Sequence, residues 1–154
     1  MRFFNTVGPR QTGRYGMVIP NFVRQGLAGQ PITVHGDGTQ TRSFCYIDDC
    51  VLGIDMIMHC DNLIAVPINL GTSELISIND LVSMVEEIGG VKLERTYDLN
   101  APKGVAGRNS DNTFIRQVLD WEPQTPLRVG MGKTYAWIEQ QYADRKAGKR
   151  VVRD

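Results

Sequence analysis

Gly36-Asp37-Gly38-Thr39-Gln40-Thr41-Arg42-Ser43-Phe44-Cys45-Tyr46-Ile47-Asp48-Asp49 contains, in order, a glycine-punctuated turn, a polar segment with one arginine, a short alternating strand and two aspartates that open a helix. A turn that holds an arginine just ahead of an apolar strand makes it a fixed bidentate donor, suited to a phosphate or a carboxylate. Working outward from this stretch, elements of both kinds alternate along the chain, which points to an α/β fold.

The spacing predicts a strand over Arg2–Val7, ended by Gly8-Pro9, and a helix over Met17–Ala28, stopped by Gly29 and Pro31. Strands are expected at Ile32–Val34, Phe44–Ile47, Val66–Leu70 and Lys92–Tyr97. Asp48 or Asp49 is expected to cap a helix through Met58, and Ser77 with Asp80 resembles a capping box ahead of Ile78, Leu81, Val82, Val85 and Ile88. Asp111 or Asn112 caps a short helix through Ile115 and Leu119, and Pro126 opens the last helix, Leu127 to Tyr142. Phe4, Phe22 and Phe44 read as core, as do Trp121 and Pro123. Residues 1–145 are expected to form one domain, with 146–154 a charged tail.

Lys plus Arg and Asp plus Glu number 17 each, so no global field draws the chain to nucleic acid or membrane, and an anion site must be built locally. Cys45, Cys50 and Cys60 have neither a metal-ligand spacing nor an even count, and the histidines are only His35 and His59. The cysteines read as reduced, buried apolar residues, and no metal is expected. With no apolar run long enough to span a bilayer and no signal peptide, the chain is expected to be soluble and cytoplasmic.

Arg2-Phe3-Phe4-Asn5-Thr6-Val7-Gly8-Pro9-Arg10, the Gly36–Asp49 stretch and Gly107-Arg108-Asn109-Ser110-Asp111-Asn112 together resemble the sugar-nucleotide-binding half of the extended short-chain dehydrogenase/reductases. These are the NAD-dependent epimerases and dehydratases of nucleotide sugars. Asn69-Leu70-Gly71 and Leu119-Asp120-Trp121-Glu122-Pro123 complete the family's order of motifs, so the resemblance spans nearly the whole chain. It implies a small mixed α/β substrate-binding domain that lacks the complete Rossmann sheet.

The resemblance also implies the substrate-binding residues. Arg42 and Arg108 would fork onto the diphosphate, and Asn5 would reach the diphosphate or sugar. Asp111 would contact the ribose or orient Arg108, and Val18 with Ile32–Val34 would flank the base. Arg42 and Arg108 are expected to share one cleft and to be exposed without ligand. The ligand would be a UDP- or GDP-linked sugar. Phe44-Cys45-Tyr46-Ile47-Asp48 looks like UDP-hexose 4-epimerases, and Gly104 to Asn112 looks like GDP-mannose 3,5-epimerases. In the latter a lysine acid or base falls where this chain has Met17, which cannot transfer a proton.

The family needs a glycine-rich turn for the NAD pyrophosphate and a Tyr-x-x-x-Lys pair for proton transfer. Tyr142 and Lys146 have that spacing but continue the last helix, and Gly132-Lys133-Thr134 lies inside the same helix without the preceding glycine of a phosphate loop. No catalytic or cofactor-binding residue is therefore expected here, NAD belonging to the full-length family. The partner would be another copy of the chain or an N-terminal Rossmann domain. The alternative is a non-catalytic orphan domain that dimerises or complements a separate cofactor domain.

Overall fold

The computed structural model describes residues 1–11, 13, 16–61, 66–102 and 104–149. Among them run nine short strands and five helices. The elements are β1 (Arg2–Phe3), β2 (Asn5–Val7), α1 (Val18–Leu27), β3 (Ile32–His35), β4 (Thr41–Arg42), β5 (Phe44–Tyr46) and α2 (Ile47–Met58), then β6 (Asn69–Leu70), β7 (Ile76–Ser77), α3 (Ile78–Gly89), β8 (Arg95–Asp98), β9 (Gly107–Arg108), α4 (Thr113–Leu119) and α5 (Leu127–Lys146). The last helix thus runs one residue into the expected tail, and 150–154 lie outside the described residues.

The strands pair in small sets, so the fold is mixed α/β without a wide doubly wound sheet. β1 pairs with β6, β2 with β5 and β3 with β8, all parallel, while β4 lies antiparallel to β7 and parallel to β9. The expected single strand Arg2–Val7 divides at Phe4: its first half joins β6 and its second half joins β5. Each pairing leaves an open edge, and Phe3 is 48% exposed, as expected for a strand that would join a larger sheet.

Helix starts follow local chemistry. Ser77 Oγ accepts the Asp80 N–H at 3.0 Å, which is the forward half of the capping box the spacing predicts, while Asp80 Oδ2 accepts the Ser77 hydroxyl at 2.6 Å rather than its backbone N–H. At α2 the expectation fails: the N-cap is Tyr46, with no side-chain cap, and both aspartates lie inside the first turn. At α4 the Asp111 carboxylate accepts the Thr113 N–H at 2.9 Å, whereas Asn112 at the N-cap makes no capping bond. Helix α1 ends as its sequence demands. Gly29 takes φ +65°, Gln30 N–H bonds Gln25 C=O at 2.9 Å, and Gly29 N–H bonds Gly26 C=O at 3.0 Å, closing a Schellman turn.

Helices α1, α3 and α5 pack over β3 and β5 around Phe22, Val23, Leu81, Val82, Leu127 and Met131. A smaller cluster joins α2, β6 and α4 through Ile68, Leu70 and Ile115, with Trp121 packed against it. Phe22 and Phe44 are buried, but Phe4, expected in the core, is half-buried: it falls between β1 and β2, and its ring carries Arg108.

The seam between α5 and β5 is tight. A Cβ at Gly130 would lie 2.7 Å from Tyr46 Cδ2, and the Tyr46 ring is buried with Lys133 Nζ 4.9 Å from its centroid. We expect Gly130→Ala to lower stability. Overpacking of this kind costs about 1–3 kcal/mol, more than the ~1 kcal/mol that alanine gains over glycine inside a helix. A thermal melt at or above wild type would show that the ring can step aside.

Candidate functional site

A cavity of about 810 Å³ opens between α1, α5 and the strands β2 to β5. That volume lies within the usual range for small-molecule sites, about 300–1,000 Å³. Among the described residues its charged wall is cationic: Arg24, Arg42 and Arg145 line it with His35, and no Asp or Glu does. The chain as a whole carries no net charge, so this imbalance is local. Between the arginines stand amides, among them Asn5, Gln11, Asn21, Gln25 and Gln40, and the aromatic rings of Phe44, Trp137 and Tyr142.

Each wall residue is placed by an ordinary structural device. Asn5 heads β2 opposite Phe44, and its Nδ2 donates to Ser43 C=O at 2.9 Å, which fixes the amide plane. Val18 is the first residue of α1. That helix starts at the cavity with no side-chain cap and no acid in its first turn, so its positive end is not neutralised by its own sequence. Arg42 ends β4, and its Nη1 donates to Thr41 C=O and to Val105 C=O, both at 2.7 Å. It is half-buried, a correction to the expectation of an exposed side chain.

Arg108 and Asp111 are not on the cavity wall. Arg108 is paired in register with Arg42 across β4 and β9, so the two side chains leave the sheet on the same face. Its guanidinium stacks over Phe4, 5.4 Å from the centroid. The Asp111 carboxyl is held below its ordinary value by the Thr113 N–H first and the Thr113 hydroxyl second. The expected set of five therefore divides. Asn5, Val18 and Arg42 meet at the cavity, while Arg108 adjoins Arg42 through the strand pair and Asp111 caps α4.

Of the expected segment Ile32–Val34, Thr33 lines the cavity, with His35 beside it, while Ile32 and Val34 are fully buried in the core. Strand alternation was the available signal, since polar Thr33 and His35 interleave with apolar Ile32 and Val34. Trp137 and Tyr142 carried no such signal, because on a helix an aromatic residue on a cavity wall has the same spacing as one in the core.

Cys45 and Cys50, read as reduced, buried apolar residues, are buried together where β5 enters α2. The hydrogen bond between their thiols pushes the Cys45 thiol up, with burial adding to it. The same bond lowers Cys50 to about 7 against the opposing effect of burial. Among the described residues no cluster of His, Cys, Asp and Glu is able to hold a metal, and no helix is long and apolar enough to cross a membrane.

Known proteins resemble this chain in both sequence and fold. Residues 1–71 match the model of the NAD dependent epimerase/dehydratase family. The chain is 37% identical over 149 residues to a GDP-mannose 3,5-epimerase of Arabidopsis thaliana, covering 95% of this chain and 39% of that protein. It is 39% identical over 130 residues to UDP-glucuronic acid decarboxylase 5 of the same plant, covering 84% of this chain and 38% of that protein. The crystal structure of UDP-glucuronic acid 4-epimerase from Bacillus cereus, in complex with UDP-glucuronic acid and NAD, superposes with a TM-score of 0.83 at 35% identity, over 90% of this chain and 44% of that one. The chain spans about two fifths of the length of the curated relatives it matches. It belongs to the NAD-dependent epimerase/dehydratase family.

Proposed function

We propose that this chain is the nucleotide-sugar-binding portion of a family enzyme. Its cavity takes a nucleoside diphosphate sugar, with the diphosphate at Arg42, and the epimerase or dehydratase chemistry needs groups beyond the described residues. One observation carries the reading: a cavity wall with three arginines and, among the described residues, no carboxylate, in a chain of zero net charge. Arg108, in register with Arg42 across β4 and β9, adds a second cation beside that wall without lining it.

In the family NAD supplies the redox chemistry, and the residues described here do not fit its pyrophosphate. Ser77 closes the start of α3, and Asp48 and Asp49 occupy the first turn of α2. Asp111 takes the first turn of α4, and Glu74 takes the Leu127 N–H of α5 at 2.9 Å. Helix α1 is the exception, and its start belongs to the cavity. The open edges of β1–β6 and β2–β5 and the exposed Phe3 support a partnership with further strands of a Rossmann sheet. The sugar subsite stays open between the UDP-linked and GDP-linked alternatives. Met17 on the wall argues against proton transfer from that position.

NMR titration with UDP and with GDP tests the proposal. Part of the pocket lies outside this chain, so we expect a weak Kd of about 0.1–1 mM, equivalent to roughly −4 to −5.5 kcal/mol. Shifts should centre on Arg42, Asn5 and the start of α1. Arg42→Ala should abolish them while lowering stability by only about 1 kcal/mol through the lost bond to Val105. Absence of shifts at these residues with several-millimolar concentrations of both nucleotides would defeat the proposal.

A further inference from the structure

Gly104 and Val105, between β8 and β9, lie against Arg42. At the β8 end of this connection Asp98 Oδ1 accepts the Asn100 and Ala101 N–H groups at 3.1 and 3.2 Å. At its β9 end the Thr41 N–H bonds Ala106 C=O at 2.9 Å. Between these anchors Pro102 lines the cavity and the Val105 carbonyl accepts Arg42 Nη1. Gly104 takes φ +67°, and a Cβ there would stand 3.3 Å from Arg42 Nη2. That separation is tighter than ordinary van der Waals contact, and the backbone conformation is one that L side chains rarely adopt.

From these contacts we infer that the Gly104–Val105 turn is a positioning element for Arg42. It fixes the guanidinium toward the cavity by a main-chain carbonyl, and the lack of a side chain at 104 lets the turn close over it. The inference rests on the nucleotide reading above for its consequence, because a fixed arginine binds a diphosphate with less ordering on association. The Val105 side chain takes no part, being 56% exposed. The fixing group is its carbonyl, which substitution of the side chain leaves in place.

The test uses the full chain, labelled with ¹⁵N, and reads arginine side-chain resonances at low temperature before any ligand is added. Wild type should give a resolved, slowly rotating set of Nη protons, assigned to Arg42 by its disappearance in Arg42→Lys. Gly104→Ala should collapse that set and weaken UDP binding by about tenfold, the scale of one charge-assisted hydrogen bond. Gly104→Asn tolerates the positive φ better while still placing a Cβ against Nη2, so it should act in the same way if Gly104→Ala is too strained to fold.

In an Arg42→Lys background, Gly104→Ala should add less than about twofold, because the interaction it disturbs is already gone. Persistence of the Arg42 signals in a folded Gly104 variant would overturn the inference. So would an equal loss of affinity in both backgrounds. Collapse of the signals in a chain whose wild type binds no UDP would uphold the positioning role and defeat the nucleotide reading instead.

Discussion

Glu86→Ala should be among the most destabilising single substitutions in this chain, by about 3–5 kcal/mol. The Glu86 side chain is 7% exposed within α3 and ties together the segment that follows the helix. Its Oε1 accepts the Leu93 N–H at 2.9 Å, and its Oε2 accepts Arg95 Nη2 at 2.7 Å and Lys92 Nζ at 3.2 Å. Removing the carboxylate leaves the Arg95 guanidinium, 20% exposed, without its counter-charge. Arg95 also donates to Asn79 C=O and Ser83 Oγ, so the loss reaches back to the first turns of α3. For a chain of this size the melt should fall by roughly 6–20 °C. A fall of less than about 3 °C would mean that water replaces the network.

The pH dependence has a definite sign. Burial pushes the Glu86 carboxyl up, but the Leu93 N–H and the Arg95 and Lys92 cations outweigh it, and the folded value lies below the ordinary 4.5. A depressed carboxyl contributes stability in full above the unfolded value and loses it as pH falls through the folded one. The stability of wild type should therefore drop more steeply below pH 4.5 than that of Glu86→Gln. Parallel curves for the two proteins would show that Glu86 adds nothing to acid sensitivity.

Glu86 was invisible in the sequence. In the helix Ile78–Gly89 it lies between the buried Val85 and the exposed Glu87, and nothing in its spacing separates it from a solvated face. Its role comes from Arg95, nine positions away, and so from the path of the chain after the helix. The apolar stripe of the same helix was fully legible, because burial of Leu81, Val82 and Val85 follows from a 3.6-residue period alone. The contrast holds elsewhere. The Ser77 cap, the Pro126 start and the Gly29 stop rest on neighbours within five residues, and those expectations match the fold.

Strand expectations fared less well, since pairing depends on partners far along the chain. The division of Arg2–Val7 between β6 and β5 has no local signature. The same logic sorts the site. Arg42 was legible because its motif holds the turn, the arginine and the strand together. That it would be tied to Val105, 63 residues away, and stand in register with Arg108 was not. Asp111 was legible as a cap, and its expected place beside the ligand receives no support from the cavity wall.

Asp49→Ala carries the second large effect, about 2–4 kcal/mol. The pair Asp48-Asp49 reads as a helix opening, and in sequence the two are interchangeable. In the fold they part. Asp48 is exposed, while Asp49 is half-buried and reaches across to the segment between α4 and α5. Its Oδ2 accepts the Gln124 and Thr125 N–H groups at 3.0 and 2.8 Å, and its Oδ1 accepts Thr125 Oγ1 at 3.0 Å. Bonds to a charged group contribute about 1.5–3 kcal/mol each, discounted here because the site is partly open to water and the three share one carboxylate. Losing them frees the turn just ahead of α5, the helix whose Trp137 and Tyr142 face the cavity. Asp48→Ala is the matched control: it removes the same charge from the same helix turn, and should cost only about 0.3–1 kcal/mol through the helix dipole. Asp49→Asn should recover part of the loss, since an amide oxygen can accept from one side but its NH₂ opposes the remaining N–H donors. Chemical denaturation of the three variants decides the matter. Equal losses for Asp48→Ala and Asp49→Ala would reduce Asp49 to a helix-dipole residue and leave the turn ahead of α5 held by its packing.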